Sequence, residues 1–379
     1  MSKKIGTKCV HSGNIVDDKF HGSISPIYPA TTYDYRKTDT YPRYFNTPNQ
    51  LALSRKISDL ESAEDSILFG SGLGAVSSTM FSFLKSGDHV ILHDSIYGGT
   101  INLVNIEFKK FNIDFSYIDI NDIDLLKSTI KKNTRIIYFE TPTNPLLQII
   151  DISLISSLAR ENDIISIIDN TFASPINQNP INFGIDLVIH SATKYLGGHS
   201  DILAGSVSGA KEHIEKIKKS GINYGANLSD YTVWLLERSI KTLSVRVNAQ
   251  NQNALDLAKF LDESSLIKKV YYPGLKNHLS HEIASRQMIG FGGMMSFEVI
   301  DKINSEDFVS DLKIISPTMS LAGVESSITS PSKTSHKKVD PQIRIKLGIS
   351  DNLLRFSVGI EDIEDLMLDL DKSLKNNVR

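Results

Sequence analysis

The sequence predicts an α/β fold with a mostly parallel sheet, followed by a smaller α+β region. Three observations carry this. Short apolar strands alternate with helix-like segments from residue 51 to about 190, which implies a parallel sheet covered on both faces. The texture changes after residue 205 to longer helical stretches mixed with isolated strands. A chain of 379 residues is also too long for one compact core, so two domains are expected.

The elements are read in order. Residues 1–50 are rich in Pro, Tyr, Thr and Asn and read as an extended arm. A helix over Leu51–Leu60 leads to a strand at Ser66–Phe69, a glycine turn and a helix over Ala75–Leu84. Strands follow at Val90–Leu92, Phe115–Ile118, Arg135–Phe139, Ile164–Ile168 and Leu187–His190, with helices near 99–111, 121–131 and 152–162 between them. The stretch Asp230 to about Leu261 has few helix breakers and reads as one long helix at a domain junction. Strands at Gly293–Val299 and Leu354–Val358 and an amphipathic helix at Asp362–Leu374 complete the chain. The expected division is an arm (1–50), a large domain (51–240) and a small domain (241–379).

Composition narrows the function. A formal charge of -3 with scattered lysines offers no nucleic-acid or anionic-membrane surface. No run reaches the roughly 20 apolar residues of a membrane helix. The N-terminus lacks a secretory apolar run, and the single cysteine, Cys9, fits a reducing compartment. A cytoplasmic protein acting on a small molecule is expected.

The chemistry concentrates where strands end. Asp169 and Lys194 each follow an apolar strand, which places both at the carboxyl edge of the sheet, where open α/β folds bind ligands. A lysine there can form a Schiff base and an aspartate can keep a pyridine nitrogen protonated, the pair an electron-sink cofactor requires. Alone, the two residues also fit a surface ion pair. Ser191 and Thr193 sit where hydroxyls can bind a phosphate. Ser71, Gly72 and Leu73 lie in a small-residue turn before a helix, whose N-terminus favours an anion. Gly70, Gly72 and Ala75, with Asp94 further on, also satisfy a dinucleotide fingerprint. A nicotinamide dehydrogenase is therefore an alternative, but it leaves the arm, Asp169 and Lys194 without a role. Tyr97, in Tyr97-Gly98-Gly99, can stack on a flat heteroaromatic ring, and Asn144 can hydrogen-bond a ring hydroxyl. Arg355, charged among apolar strand residues, needs an anion, and a carboxylate would satisfy it bidentately. His89 and His93 lie on one strand face, too far apart for a helical metal pair, and no zinc or calcium spacing or serine-hydrolase elbow is found.

With His190-Ser-Ala-Thr-Lys194-Tyr-Leu-Gly-Gly-His-Ser-Asp201 in place, the chain resembles the Cys/Met-metabolism family of pyridoxal-phosphate enzymes, the trans-sulfuration group. The likeness extends through Tyr41-Pro-Arg43, Ser71-Gly-Leu73, Tyr97-Gly-Gly99, Pro142-Thr-Asn144-Pro145, Asp169-Asn-Thr171, Ser320 to Ser326 and Leu354 to Asp362. It implies pyridoxal 5'-phosphate as cofactor and the aspartate-aminotransferase-like fold type I, with a seven-stranded sheet. It also implies a homotetramer built from two tight dimers, in which Tyr41 and Arg43 hold the phosphate of a neighbouring chain. Lys194 would carry the cofactor, Asp169 and Thr171 would lie at its ring, Tyr97 would stack and handle protons, and Arg355 with Ser320 would take the substrate carboxylate. Asn46-Thr47-Pro48 departs from the family's usual Asn-Pro-Thr.

The exact reaction is read from four positions. Members acting at the γ-carbon typically carry glutamate where this chain has Met319, and often arginine where it has Asn102. Methionine γ-lyases usually have cysteine at the place of Gly99, and one β-lyase branch has tryptophan at that of Leu321. The balance favours a cystathionine β-lyase with racemisation as a side activity. A γ-synthase or γ-lyase is the alternative, and a non-catalytic ligand-sensing module or structural subunit is a remote one.

Overall fold

The computed structural model describes residues 3–334, 337, 341–346 and 348–379. They group into two compact units, residues 1–140 with 151–244, and residues 141–150 with 245–379.

Unit 1 begins with α1 (Ile5–His11) and α2 (Pro48–Glu61), then alternates β1 (Asp65–Phe69), α3 (Gly72–Phe83), β2 (His89–His93), α4 (Gly98–Leu103), β3 (Asp114–Ile118), α5 (Ile123–Thr129) and β4 (Thr134–Glu140). After the 141–150 segment come α6 (Ile152–Glu161), β5 (Ile165–Asp169), α7 (Ser174–Asn177), β6 (Leu187–His190), β7 (Gly205–Gly209), α8 (Lys211–Tyr224) and α9 (Asp230–Ile240). Helix α10 (Leu243–Asp262) follows, and the boundary between the units falls within it at Ser244/Val245. The sheet of unit 1 has seven strands in the order β1-β7-β6-β5-β4-β2-β3. All run parallel except β7, which is antiparallel to both β1 and β6. Ile67, Leu92, Ile136, Ile167, Ile189 and Val207 on the strands pack with Met80 of α3 and Ile217 of α8 in one buried core. That apolar burial is the main driving force for assembling the unit.

Unit 2 contains β8 (Ile267–Tyr271), α11 (His281–Gln287), β9 (Met294–Val299), α12 (Ser305–Asp311), β10 (Ser327–Thr329), α13 (Pro341–Lys346), β11 (Leu353–Ser357) and α14 (Ile363–Asn376). Its sheet is antiparallel, in the order β10-β11-β9-β8. The fold class is the one expected, with corrections in detail. The arm is not extended throughout: α1 forms there, and the buried Lys56 of α2 donates to its Cys9 carbonyl at 3.1 Å. The single helix expected over 230–261 is two, because Lys241 and Thr242 bond back three residues, to Arg238 and Ser239, and this tightened turn ends α9. Strand β7 was not expected. Its sequence Gly-Ser-Val-Ser-Gly lacks the branched and aromatic residues that mark strands, yet all five residues are buried.

The Thr47-Pro48 departure has a local reason. Thr47 caps α2 by accepting the Gln50 N–H, the Gln50 side chain accepts the Thr47 N–H in return, and Pro48 occupies the first turn. The Thr47 hydroxyl also donates to the buried Asp230 at 2.5 Å. Thr47→Ala should cost about 1–2 kcal/mol from the cap and leave Asp230 without this donor. The expected outcome is a lower unfolding midpoint of the apoprotein, which Thr47→Ser restores.

Candidate active site

The arrangement starts from the antiparallel strand. Because β7 lies between β1 and β6, those two parallel strands end on the same edge, with Phe69 opposite Gly205 and His190 opposite Ser206. The turn after β1 and the segment after β6 therefore meet. A Cβ added to Gly72 would lie 2.7 Å from the Ser191 Cβ, and one on Gly205 would lie 2.2 Å from the Ser71 carbonyl oxygen. Glycine at 72 and 205 lets the two segments close up.

Ser71 caps α3 by accepting the Gly74 N–H at 2.9 Å. The N–H groups of Gly72 and Leu73 stand at the start of this 12-residue helix, where no preceding turn can take them. Thr193 Oγ1 is held between the N–H and carbonyl of Ala204, at 3.0 and 3.2 Å, which sets its rotamer. Lys194 follows in a turn closed by bonds from its own N–H to the Ser191 carbonyl, 3.0 Å, and from the Gly198 N–H to the Lys194 carbonyl, 2.7 Å.

Asp169 ends β5. Its Oδ1 accepts the Thr171 N–H at 3.0 Å, and the Thr171 hydroxyl accepts the Ser191 N–H at 2.8 Å, so the aspartate and lysine segments are joined through Thr171. Burial raises the Asp169 pKa above the ordinary carboxylate range, while the Thr171 hydroxyl and N–H pull it back. A cation set against this carboxylate would lower it further. Tyr97 stands at the N-cap of α4 with its side chain exposed. Asn102, on the same helix, is exposed. Tyr41 caps a short 3-10 turn at Pro42–Tyr44 that contains Arg43, and its carbonyls at Pro42 and Arg43 accept from Asn227.

In unit 2, Arg355 lies mid-strand on β11, between Ser296 of β9 and Thr329 of β10. Its guanidinium donates to Asn144 Oδ1 at 3.1 Å and to the Ser320 carbonyl at 3.3 Å. Both partners are neutral, and among the described residues it meets no carboxylate. Burial pushes its pKa down to about 10. Ser320 and Ala322 hold φ of 83° and 64°, a left-handed conformation that costs non-glycine residues energy. Met319 beside them is 76% exposed.

Three features escaped the sequence reading. Glu140 accepts the Tyr97 N–H through Oε1 at 2.7 Å. Tyr138, fully buried, lies within electrostatic reach of Asp169 and Glu140. His190 pairs with Glu61 at the end of α2, both buried. The first two differ in sequence signal: Glu140 opens the Thr-Pro-Thr-Asn-Pro loop and so marks a strand end, whereas Tyr138 reads as a core aromatic.

A family model described as Cys/Met metabolism PLP-dependent enzyme matches residues 6–375. The chain belongs to this family. It is 44% identical over 378 residues to a cystathionine beta-lyase of Lactococcus lactis subsp. cremoris, covering 98% of this chain and 99% of that one. It is 40% identical to a cystathionine gamma-lyase of Bacillus subtilis, covering 99% and 100%. A crystal structure of cystathionine gamma-lyase from Lactobacillus plantarum, complexed with L-serine, superimposes with a TM-score of 0.94 at 38% identity, covering 98% and 99%. The chain is thus a pyridoxal-phosphate-dependent carbon–sulfur lyase of the trans-sulfuration group. Among the described residues no helix is long and apolar enough to cross a membrane, and no cluster of three metal-ligating side chains occurs.

The residues of unit 1 fit the cofactor. Gly72 and Gly205 let the turn after β1 close against Ser191, the start of α3 offers backbone donors for a phosphate, and Asp169 offers a carboxylate for a protonated ring. Gly205→Ala would press its new methyl against the Ser71 carbonyl and move the turn. The apoprotein should then bind pyridoxal phosphate at least roughly tenfold more weakly, a loss of about 1.4 kcal/mol, as measured by titration.

Proposed function

We propose that the chain is a cystathionine β-lyase, which converts L-cystathionine to homocysteine, pyruvate and ammonia. The observation that carries this reading is Met319. An apolar, exposed side chain stands directly before Ser320, on a backbone constrained by positive φ at Ser320 and Ala322. Position 319 itself offers no carboxylate to a cation at the γ end of a substrate. The 44% identity to the Lactococcus enzyme supports the same reaction. Gly99 stands where methionine γ-lyases usually carry cysteine, which speaks against methionine γ-elimination. γ-Elimination is the second reading, favoured by the Bacillus and Lactobacillus relatives.

The roles follow residue by residue. Gly72, Leu73 and Ser191 hold the cofactor's phosphate, helped by Thr193. Asp169, oriented by Thr171, holds a proton at the ring nitrogen. Tyr97 lies against the ring, and Lys194 carries the cofactor. Pyridoxal phosphate, when bound, supplies an electron sink conjugated to the substrate's α-carbon. The Lys194 amine removes the α-proton, and return of that proton to the opposite face accounts for racemisation as a side activity. Arg355 takes the α-carboxylate, with Asn144 and Ser320 fixing its guanidinium, and Met319 and Asn102 tune substrate choice. Tyr41 and Arg43, on an exposed turn, serve the phosphate of a neighbouring subunit in a homotetramer.

Product analysis with L-cystathionine tests the reaction. Pyruvate with homocysteine is the expected outcome, whereas cysteine with 2-oxobutyrate would transfer the enzyme to the γ-branch. Arg355→Ala should lower kcat/KM by about 100-fold, mostly through KM, since charge-assisted bonds of about 1.5–3 kcal/mol are lost. An unchanged KM would remove Arg355 from the substrate carboxylate.

A further inference from the structure

The register sets two carboxylates side by side at the edge of the sheet: Glu140, the last residue of β4, pairs with Asp169, the last of β5. Tyr138, two residues before Glu140, rises from the same face. Glu140 is only 7% exposed. Its Oε1 accepts the backbone N–H of Tyr97, the residue at which α4 begins. One hydrogen bond thus ties the end of β4 to the residue whose ring lies over Gly99.

Two neighbouring carboxylates, one buried and one half-buried, are costly to ionise together. The two are surrounded unequally. Asp169 accepts the Thr171 N–H, with the Thr171 hydroxyl beside it and His190 on the neighbouring strand β6. Glu140 accepts the Tyr97 N–H alone, and no lysine or arginine pairs with it among the described residues. The titratable groups around Glu140 are therefore Asp169 from β5 and Tyr138 from its own strand, and the segment leading into α4 offers only a backbone donor. Burial first, and the Asp169 charge second, push the Glu140 pKa well above its ordinary value.

We propose that Glu140 is a positioning residue of the lyase: as an uncharged acid it holds the Tyr97 backbone and leaves Asp169 the single anion at the edge of the sheet. The assignment rests on Asp169 and Tyr97 being cofactor contacts. Either charge on the pair would serve a carboxylate-to-ring contact in principle. Only a neutral Glu140 concentrates it on the residue that Thr171 orients.

The test compares Glu140→Gln and Glu140→Ala with wild type, first without cofactor. A native-state proton on Glu140 that the unfolded chain releases above about pH 4.3 makes wild-type stability fall as pH rises through that window. Glutamine has no such proton. The melting temperature of Glu140→Gln apoprotein minus that of wild type should therefore increase as pH rises above about 4.3. A difference independent of pH would overturn the proposal. With cofactor, Glu140→Ala should bind pyridoxal phosphate at least roughly tenfold more weakly and lose kcat by a similar factor, and Glu140→Gln should rescue both to within about threefold of wild type. If glutamine falls as far as alanine, or alanine matches wild type, the proposal is wrong. Asp169→Asn in parallel separates the two levels. Wild-type cofactor affinity and turnover in that variant would remove the reading on which the assignment rests, whereas the apoprotein difference reports on Glu140 alone.

Discussion

The close approach of Gly205 to the Ser71–Gly72 turn is the constraint on which the rest of unit 1 depends. Backbone meets backbone there because neither glycine carries a Cβ, and this contact lets an antiparallel strand slot between β1 and β6. Without β7, those strands would not flank a common neighbour, and the start of α3 would have no reason to lie against Ser191. Donors drawn from residues about 120 positions apart in sequence are brought together by two missing methyl-sized groups. Close packing without voids or overlap is the rule in protein interiors, and here it also sets out the surface proposed to hold the phosphate.

The electrostatics of the proposed site follow one pattern: a charge withdrawn from water is oriented by neutral groups, which leaves it open to the proposed ligand. Asp169 is oriented by Thr171, and Arg355 by Asn144 and the Ser320 carbonyl. Neither has a protein counter-ion of the opposite sign within hydrogen-bonding distance among the described residues. Burying such groups costs free energy that a permanent salt bridge would offset. Leaving them with neutral partners keeps that offset available to what binds. His190 and Glu61 show the opposite treatment: they pair with each other, and this pair joins α2 to the strand that precedes Lys194.

The parallel part of the fold was legible because β2, β4, β5 and β6 are short apolar runs with clear helical spacers. Strand β7 was not, because its small residues are dictated by neighbours rather than by strand preference. The same holds for α1, a short helix inside a Pro- and Thr-rich stretch, held by Lys56 from elsewhere in the chain. In the site, Asp169 and Lys194 could be placed at strand ends by reading along the chain. The bond from Tyr97 to Glu140 spans 43 residues, and the grip of Ala204 on Thr193 depends on a turn with no periodic signal. Such links belong to the sheet order, which local pattern does not contain. The Thr47-Pro48 step shows the reverse: a departure from the family pattern is a complete helix cap when read locally.

The grouping of residues 141–150 with 245–379 has a consequence for the order in which the chain is made. A ribosome delivers this ten-residue segment before α6, β5, β6 and β7, but nearly all of its own unit only after residue 244. Domains tend to fold as units as they emerge, so unit 1 must organise its sheet around a loop that has no partner yet. Asn144, which later grips Arg355, waits through the synthesis of about two hundred residues. A chain arrested near residue 245 would hold every residue of unit 1 and, of unit 2, only the segment with Asn144, made before the arginine it grips.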